Sequence, residues 1–505
     1  MEDAVSTFIK GTLLLMVAAL ATKILGFVHR IMLAGLTGEE GVGLYMMTFP
    51  ALMLAITVTQ LGLPIAISKY VSEAEAKKKP HEVRNILTAS LWITGSLACL
   101  LTPVLFFSAP FIANVLLDNN RTLIPFIAVL PVVPIAAFSA VLRGYFMGKQ
   151  KMGVTATGSV IEQLVRIFLL TWIVSALMER GIEYAAAGAM IASVAGELVS
   201  LLFLLTVFYI TKRPVRMKKP VMFTATSKKL LSIALPSAGS RMVGSAAWFL
   251  EPIIVMKCLM MTGLTASYVT GQYGLLTGFI LPVLLLPSFI TVSLSTALVP
   301  SISEALAKKQ LQTVEHRVHQ ALRISLVTGA LFSLLLFMEG EYFLQLLYHT
   351  SNGQDILKLL SALFIFYYYQ GPLHAVMQAF EAAGTAMINS IIGAIVKLAV
   401  MAILLLQMEN IIGAAIGIAA GVITVTFLHF HSIRTMIKLT IPYGQYVATG
   451  FLLVLCYLIH QLIVPYASSP ERIFILTVCF IVFASGLQLI KKEDWFIFGK
   501  SFRKS

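Results

Sequence analysis

The stretch Ala18-Ala19-Leu20-Ala21-Thr22-Lys23-Ile24-Leu25-Gly26-Phe27-Val28-His29-Arg30-Ile31-Met32-Leu33-Ala34 decides the fold. A run of about 20 apolar residues suffices to cross a bilayer, and this one does so while carrying Lys23 and Arg30. A charge at the bilayer centre costs from about 3 to over ~10 kcal/mol, so it belongs to a bundle interior or a wet cavity. Glu162, Arg166, Glu197, Arg241, Glu251 and Lys397 repeat the pattern in other long apolar stretches. The chain therefore reads as a polytopic membrane protein with a polar path, and transport is the first function to weigh.

Composition agrees. Of 505 residues, 58% are apolar and only 12% charged, against about 25% charged in soluble domains. The loops are too short for a separate soluble catalytic domain. Cys99, Cys258, Cys456 and Cys479 are scattered along apolar segments without metal or redox spacing. They read as small packing residues. The start, Met1-Glu2-Asp3, lacks the basic region of a signal peptide, and the apolar run after Lys10 reaches Ala34. That is too long for a signal core, so a retained first helix is expected.

The hydropathy pattern predicts an all-α protein with fourteen transmembrane helices, arranged as two six-helix lobes plus two C-terminal helices. The expected organisation is a first lobe over 1–210, a basic cytoplasmic linker over 211–229, and a second lobe over 230–440. Helices 13 and 14 follow over 441–490, then a basic tail over 491–505. Lysine and arginine cluster in alternate loops: Lys77, Lys78 and Lys79; Lys149 and Lys151; Lys212 to Lys229; Lys308 and Lys309; and the tail. The intervening loops carry only Arg121, Arg180, Lys257, Lys358 and Arg472. The positive-inside rule then puts both termini in the cytoplasm of a cell-membrane protein. It also accounts for most of the net charge of +14, with no nucleic-acid partner.

A weak internal repeat supports the two lobes. Pro64 and Pro300 each lie shortly before a basic loop, Arg143 aligns with Gln378, and Met152 with Met387. Six helices per lobe give both lobes one orientation, with a substrate site expected between them. Pro50, Pro64, Pro282, Pro287 and Pro300 are expected to interrupt helices 2 and 8.

Three motifs carry a family resemblance. They are Thr22 to Arg30 with Gly38-Glu39-Glu40-Gly41-Val42-Gly43 in helix 1, Leu142-Arg143-Gly144-Tyr145-Phe146-Met147-Gly148 at the end of helix 4, and Ile161-Glu162-Gln163-Leu164-Val165-Arg166 in helix 5. Together they resemble the polysaccharide-export and lipid II flippase branches of the multidrug/oligosaccharidyl-lipid/polysaccharide (MOP) exporter superfamily, including the stage V sporulation protein B group. The resemblance implies translocation of an undecaprenyl-diphosphate-linked sugar, a cell-wall or spore-cortex precursor, by alternating access. It implies no cofactor and no catalysis. The implied partners are the anionic lipid-linked glycan, membrane lipids and cell-wall synthesis proteins. A basic residue before Leu-Gly-Phe is functionally important in such flippases, and Lys23 holds that place.

The residues themselves are consistent with that. Lys23 and Arg30 are seven apart, almost two turns, hence on one face about 10 Å apart. A ladder of cations suits a diphosphate; snorkelling to an interface is the alternative for Arg30. Arg241 sits at a similar depth in helix 7, either in the same cavity or paired with Glu251. Gln60 and Gln272 are candidate sugar contacts. Glu162 and Arg166 form an i,i+4 pair that Glu197 can join, either as a structural triad or as a coupling site, and Glu251 invites the same two readings. Arg143 reads as a phosphate contact, an inner gate or a cytoplasmic anchor.

His29, His374, His429 and His431 lack metal partners, and no GxxxxGK[ST] loop occurs. A drug/cation antiporter would favour carboxylates in its cavity. A membrane glycosyltransferase would need catalytic acids or a large loop, and a non-transporting assembly factor would leave the buried cations unexplained.

Overall fold

The computed structural model describes residues 2–211, 223–437, 439–440 and 442–491, with side chains from Val17 onward apart from 223–224, 236–237 and 240. Most of the basic linker cluster, including Lys212, Arg213, Arg216, Lys218 and Lys219, lies outside the described residues, as do Lys438, the tail from Lys492 and the side chain of Lys10. Every described element is helical: α1 Glu2–Gln60, α2 Leu63–Ala76, α3 Pro80–Phe111, α4 Leu123–Val129, α5 Val132–Gly148, α6 Met152–Met178, α7 Ile182–Thr211, α8 Phe223–Met261 and α9 Ala266–Gly274. Then follow α10 Leu281–Leu285, α11 Ser288–Ala307, α12 Leu311–Tyr348, α13 Gln354–Leu363, α14 Tyr367–Ala379, α15 Ala383–Met408, α16 Ile412–Ile437, α17 Tyr443–Ile463 and α18 Ser469–Gly486.

Thirteen described segments are long and apolar enough to cross a membrane. The first, Val17–Ala76, holds two crossings that meet at Gly38, whose φ of 63° ends the helical geometry. Ala266–Leu285 and Ser288–Ala307 are separated only by Leu286–Pro287 and are read as one broken crossing, and α13 with α14, two short pieces joined at Phe364–Phe366, as another. Fourteen crossings result. The proline expectation needs correcting in detail. Pro50 and Pro300 lie inside continuous helices. The breaks fall at Leu61–Gly62, both with positive φ, just before Pro64, and at Leu286–Pro287. A proline in the first turn costs no hydrogen bond, so helices restart there.

The repeat is real, but its register differs from the apolar match. Positive-φ caps recur at one constant spacing: Lys78 with Lys309, Asp118 with His349, and Gln150 with Glu381. That register pairs Arg143 with His374 and Met152 with Ala383, about one helical turn from the pairing read in the sequence. One turn returns a residue to the same face, so an apolar pattern cannot reveal the slip. A cap can.

The chain divides into two compact units, Met1–Phe279 and Ile280–Ser505, so α8 and α9 pack with the first six crossings. In the first unit, α2, α3, α5, α7 and α8 share a core containing Ile67, Tyr70, Leu142, Tyr145, Phe146 and Leu204. Gly144 and Gly148 bring α5 onto α2: a Cβ at Gly144 would lie 2.9 Å from the Pro64 carbonyl oxygen, and one at Gly148 2.7 Å from that of Ser68. Small residues allow such approach where lipid supplies little hydrophobic drive. Gly148→Val should therefore force the helices apart and cost about 1–3 kcal/mol, read as a lower unfolding temperature in detergent, whereas Gly26→Ala, facing open space, should cost little. Beyond α5, Lys149 pairs with Glu75 at 3.0 Å. Burial disfavours its ammonium, but the Glu75 hydrogen bond together with the charge of Glu75 and the Tyr145 hydroxyl outweighs this, and its pKa is raised.

In the second unit, α17 and α18 pack on α12 through Leu452, Cys456, Leu476 and Phe480. They are fastened by Glu339, 3% exposed, which sits at a non-helical point of α12. Arg472 donates to it from Nε and Nη2, and it is hydrogen-bonded to His460.

Candidate functional site

Two kinds of membrane-embedded charge separate in the first unit. One kind is neutralised. Arg143 on α5 donates from Nη2 to Glu162 (2.9 Å) and Ser200 (3.1 Å), and from Nη1 to Ser159 (2.6 Å). Arg166 donates to the other Glu162 oxygen at 2.7 Å. Glu197 on α7 lies 3.7 Å from Arg143. Two cations thus face two carboxylates where three helices meet. Gly196 allows the closeness, since a Cβ there would lie 2.7 Å from the Glu162 carbonyl oxygen.

Sequence reasoning found the Glu162–Arg166 pair because it lies along one helix. It read Arg143 as a phosphate contact, gate or anchor and grouped Glu197 with Arg166, because contacts across helices leave no local signature. The structure instead places Arg143 against both carboxylates.

Breaking a buried pair strands a charge and typically costs about 3–5 kcal/mol. Glu162 accepts from both arginines, so Glu162→Gln should lower thermal stability more than Glu197→Gln. Glu162→Gln combined with Arg166→Gln should recover part of the loss.

The other kind of charge has no partner among the described residues. Lys23 and Arg241 are exposed and Arg30 is half-buried. None of the three has a hydrogen bond or ion pair among the described residues, and a Cβ at Gly26, Gly239 or Gly244 would meet nothing within 4 Å. The Lys23–Gly26–Arg30 stripe and the segment around Arg241 thus both border open space. Between the two cations of α1, His29 is buried with Nε2 unpartnered, its ring 6.1 Å from that of Tyr45. Further along, α1 meets α8 through Thr57 and Ser245 at 3.0 Å and Phe49 against Trp248 at 5.6 Å. Gln60 and Gln272 are half-buried. Glu251 is buried beside Tyr273, whose hydroxyl donates to it at 3.4 Å.

A third feature went unread in the sequence. At the end of the unit bearing the turns at Gly38, Asp118–Thr122, Gly181 and Gly263, Arg121 bonds Glu40 and lies 3.5 Å from Glu183. Ser267 donates to Glu40, Lys257 pairs with Asp118, and Asn119 donates to Thr270 at 2.8 Å. Beneath them α1 and α9 cross backbone to backbone. A Cβ at Gly43 would lie 2.0 Å from the Thr270 carbonyl oxygen, and one at Gly274 2.0 Å from that of Glu39. The available signal was opposite charge in short loops at one end of the bundle.

The polysaccharide biosynthesis protein family model matches residues 8–306, and the MatE model matches 249–404. Stage V sporulation protein B of Bacillus subtilis (strain 168) is 45% identical over 471 residues, covering 92% of this chain and 91% of that protein. Lipid II flippase MurJ of the same organism is 24% identical over 465 residues, 85% of this chain and 83% of that protein. A solved structure of lipid II flippase MurJ in an inward closed conformation superposes with a TM-score of 0.74 at 16% identity, covering 94% of this chain and 98% of that one.

Proposed function

The chain belongs to the polysaccharide biosynthesis protein family, in the flippase-like branch of the MOP superfamily, and from that premise we propose that it flips an undecaprenyl-diphosphate-linked sugar across the cell membrane. The observation that carries the reading is the division of its charges. Arg143 and Arg166 are neutralised by carboxylates, whereas Lys23, Arg30 and Arg241 have no ion pair among the described residues and lie beside open space. Cations kept free inside a membrane protein fit an anionic cargo. A diphosphate supplies the missing counter-charge, and Lys binds it as a point charge where Arg offers a fork. Gln60 and Gln272 are proposed sugar contacts, and the protein acts as a transporter rather than an enzyme.

With the N-terminus in the cytoplasm, the latch of Glu40, Arg121, Glu183, Asp118 and Lys257 becomes the outer gate, closed in this state. The two repeats are the lobes that rock, 1–210 and 230–440, joined by the basic segment 211–229, of which the residues from Phe223 onward already belong to α8. Orientation is checked by a cysteine replacing Tyr466, 88% exposed. A membrane-impermeant maleimide should label it in intact cells. Labelling only after lysis would reverse the topology.

The function is tested by reconstituting the full chain in liposomes with fluorescent undecaprenyl-diphosphate sugars and measuring exchange between leaflets. Faster exchange than in empty liposomes, with no exchange of the undecaprenol-linked neutral analogue, is the expected result. Equal exchange of both would defeat the cationic-cavity reading.

A further inference from the structure

In the capped register of the repeat, the first unit's charge cluster has a counterpart that contains no carboxylate. Arg143, Glu162, Arg166 and Glu197 correspond to His374, Gly393, Lys397 and Leu428. Glu381 and Glu409, the two acids between Tyr367 and Ile437, both lie in turns. What occupies the seam of α14, α15 and α16 instead is a histidine pair. The His374 and His429 rings lie 6.0 Å apart at 32°. His429 is buried and His374 exposed.

The hydrogen bonds around His429 fix its protonation. Ser432 Oγ donates to the Leu428 carbonyl at 2.8 Å, so it accepts from Asn389 Nδ2 at 3.1 Å. The second proton of that amide points to His429 Nδ1, also at 3.1 Å. Nδ1 is therefore the acceptor, and the neutral ring carries its proton on Nε2. A proton added at Nδ1 would set two donors against each other. Relief requires the Asn389 amide to turn its oxygen to the imidazolium, which gives up the bond to Ser432 and rewires the α15–α16 seam.

We infer that His374 and His429 form a one-proton site, with His374 as the accessible entry and His429 as the buried switch that changes the α15–α16 contact. Two imidazolium rings at this spacing repel, so the pair takes up its protons in separate steps. The charged and titratable groups on the elements packed against this seam are Lys397 on α15, Asp355 and Lys358 on α13, His431 and Arg434 on α16 itself, Glu304 on α11, and Glu315, His316, Arg317, His319, Arg323, Glu339 and Glu341 on α12, beside the tyrosines of α14. The paired ring disfavours a second charge, and no acid within α14–α16 neutralises the first. The proton therefore stays exchangeable. As a coupling device the site rests on the transport reading; as a proton-linked rearrangement it does not.

Hydrogen exchange of the full chain in phosphatidylcholine nanodiscs, corrected for intrinsic rates, tests it from roughly pH 8 down to about pH 3.5, a range that extends below that of a free histidine. Protection of α15 and α16 around Asn389 and His429 should fall several-fold on acidification. His429→Gln should abolish that response, and Asn389→Ala should move its midpoint. His374→Gln, at an exposed position, should keep the fold and still alter the response, which covers the case in which His429→Gln misfolds. A wild-type response that survives in a folded His429→Gln or His374→Gln variant, or no wild-type response at all, overturns the proposal. Flipping by the same samples is measured separately: a proton response without flipping refutes the transport reading and leaves the site standing.

Discussion

Lys23→Ala and Arg241→Ala should each abolish flipping while leaving membrane abundance and thermal stability unchanged. Neither side chain has a hydrogen bond or ion pair among the described residues, so truncation removes no such contact there. Each does remove a counter-charge for a diphosphate in a path of reduced dielectric. Two unit charges 4 Å apart at an effective dielectric constant of 20 interact by about 4 kcal/mol, which is roughly a thousandfold in binding. Lys23→Arg should keep substantial activity, because charge is retained and a bidentate fork is added. Arg30→Ala should be impaired less, since Arg30 is half-buried and shares its stripe with Lys23. The contrast with Glu162→Gln matters: there stability falls first and activity follows, because that charge is spent on protein. Fully active Lys23→Ala and Arg241→Ala variants would show that the free cations do not meet the cargo.

The sequence makes the crossings legible because hydropathy over about 20 residues is a strong signal, and it makes Lys23, Arg241 and the Glu162–Arg166 pair legible because charge in lipid is costly. What it hides is whatever depends on two helices meeting. Arg143 reads as terminal from its own helix and becomes the partner of Glu162 and Glu197 only when α5, α6 and α7 are packed. The packing boundary at Phe279 also departs from the linker-based division, because the composition of 211–229 marks a loop whereas α8 and α9 pack against α1 and α2. Gly43 and Gly274 look like two glycines among 34. Their meaning lies in an approach between distant segments that no local pattern encodes.

That approach gives the other large effect. Gly274→Val should hold the latched end open and bring flipping close to background. Its Cβ would sit 2.0 Å from the Glu39 carbonyl oxygen and 2.8 Å from Gly43 Cα. Both are backbone atoms that cannot rotate away, so α1 and α9 must separate. Overpacking of this kind costs about 1–3 kcal/mol, and a bias of that size shifts a two-state equilibrium roughly 5- to 150-fold. Separation also breaks the Asn119–Thr270 bond and loosens Arg121 from Glu40, since these span the same seam. A cysteine replacing Thr270, which is fully buried, would then react with an impermeant maleimide from the latched side, while the Gly274 parent protects it. The control lies on the same helix: Gly271, with nothing within 4 Å of a Cβ, should accept alanine with latch and flipping intact. If Gly274→Val flipped normally and kept Thr270→Cys protected, the glycine crossing would be a packing feature and not the hinge of a gate.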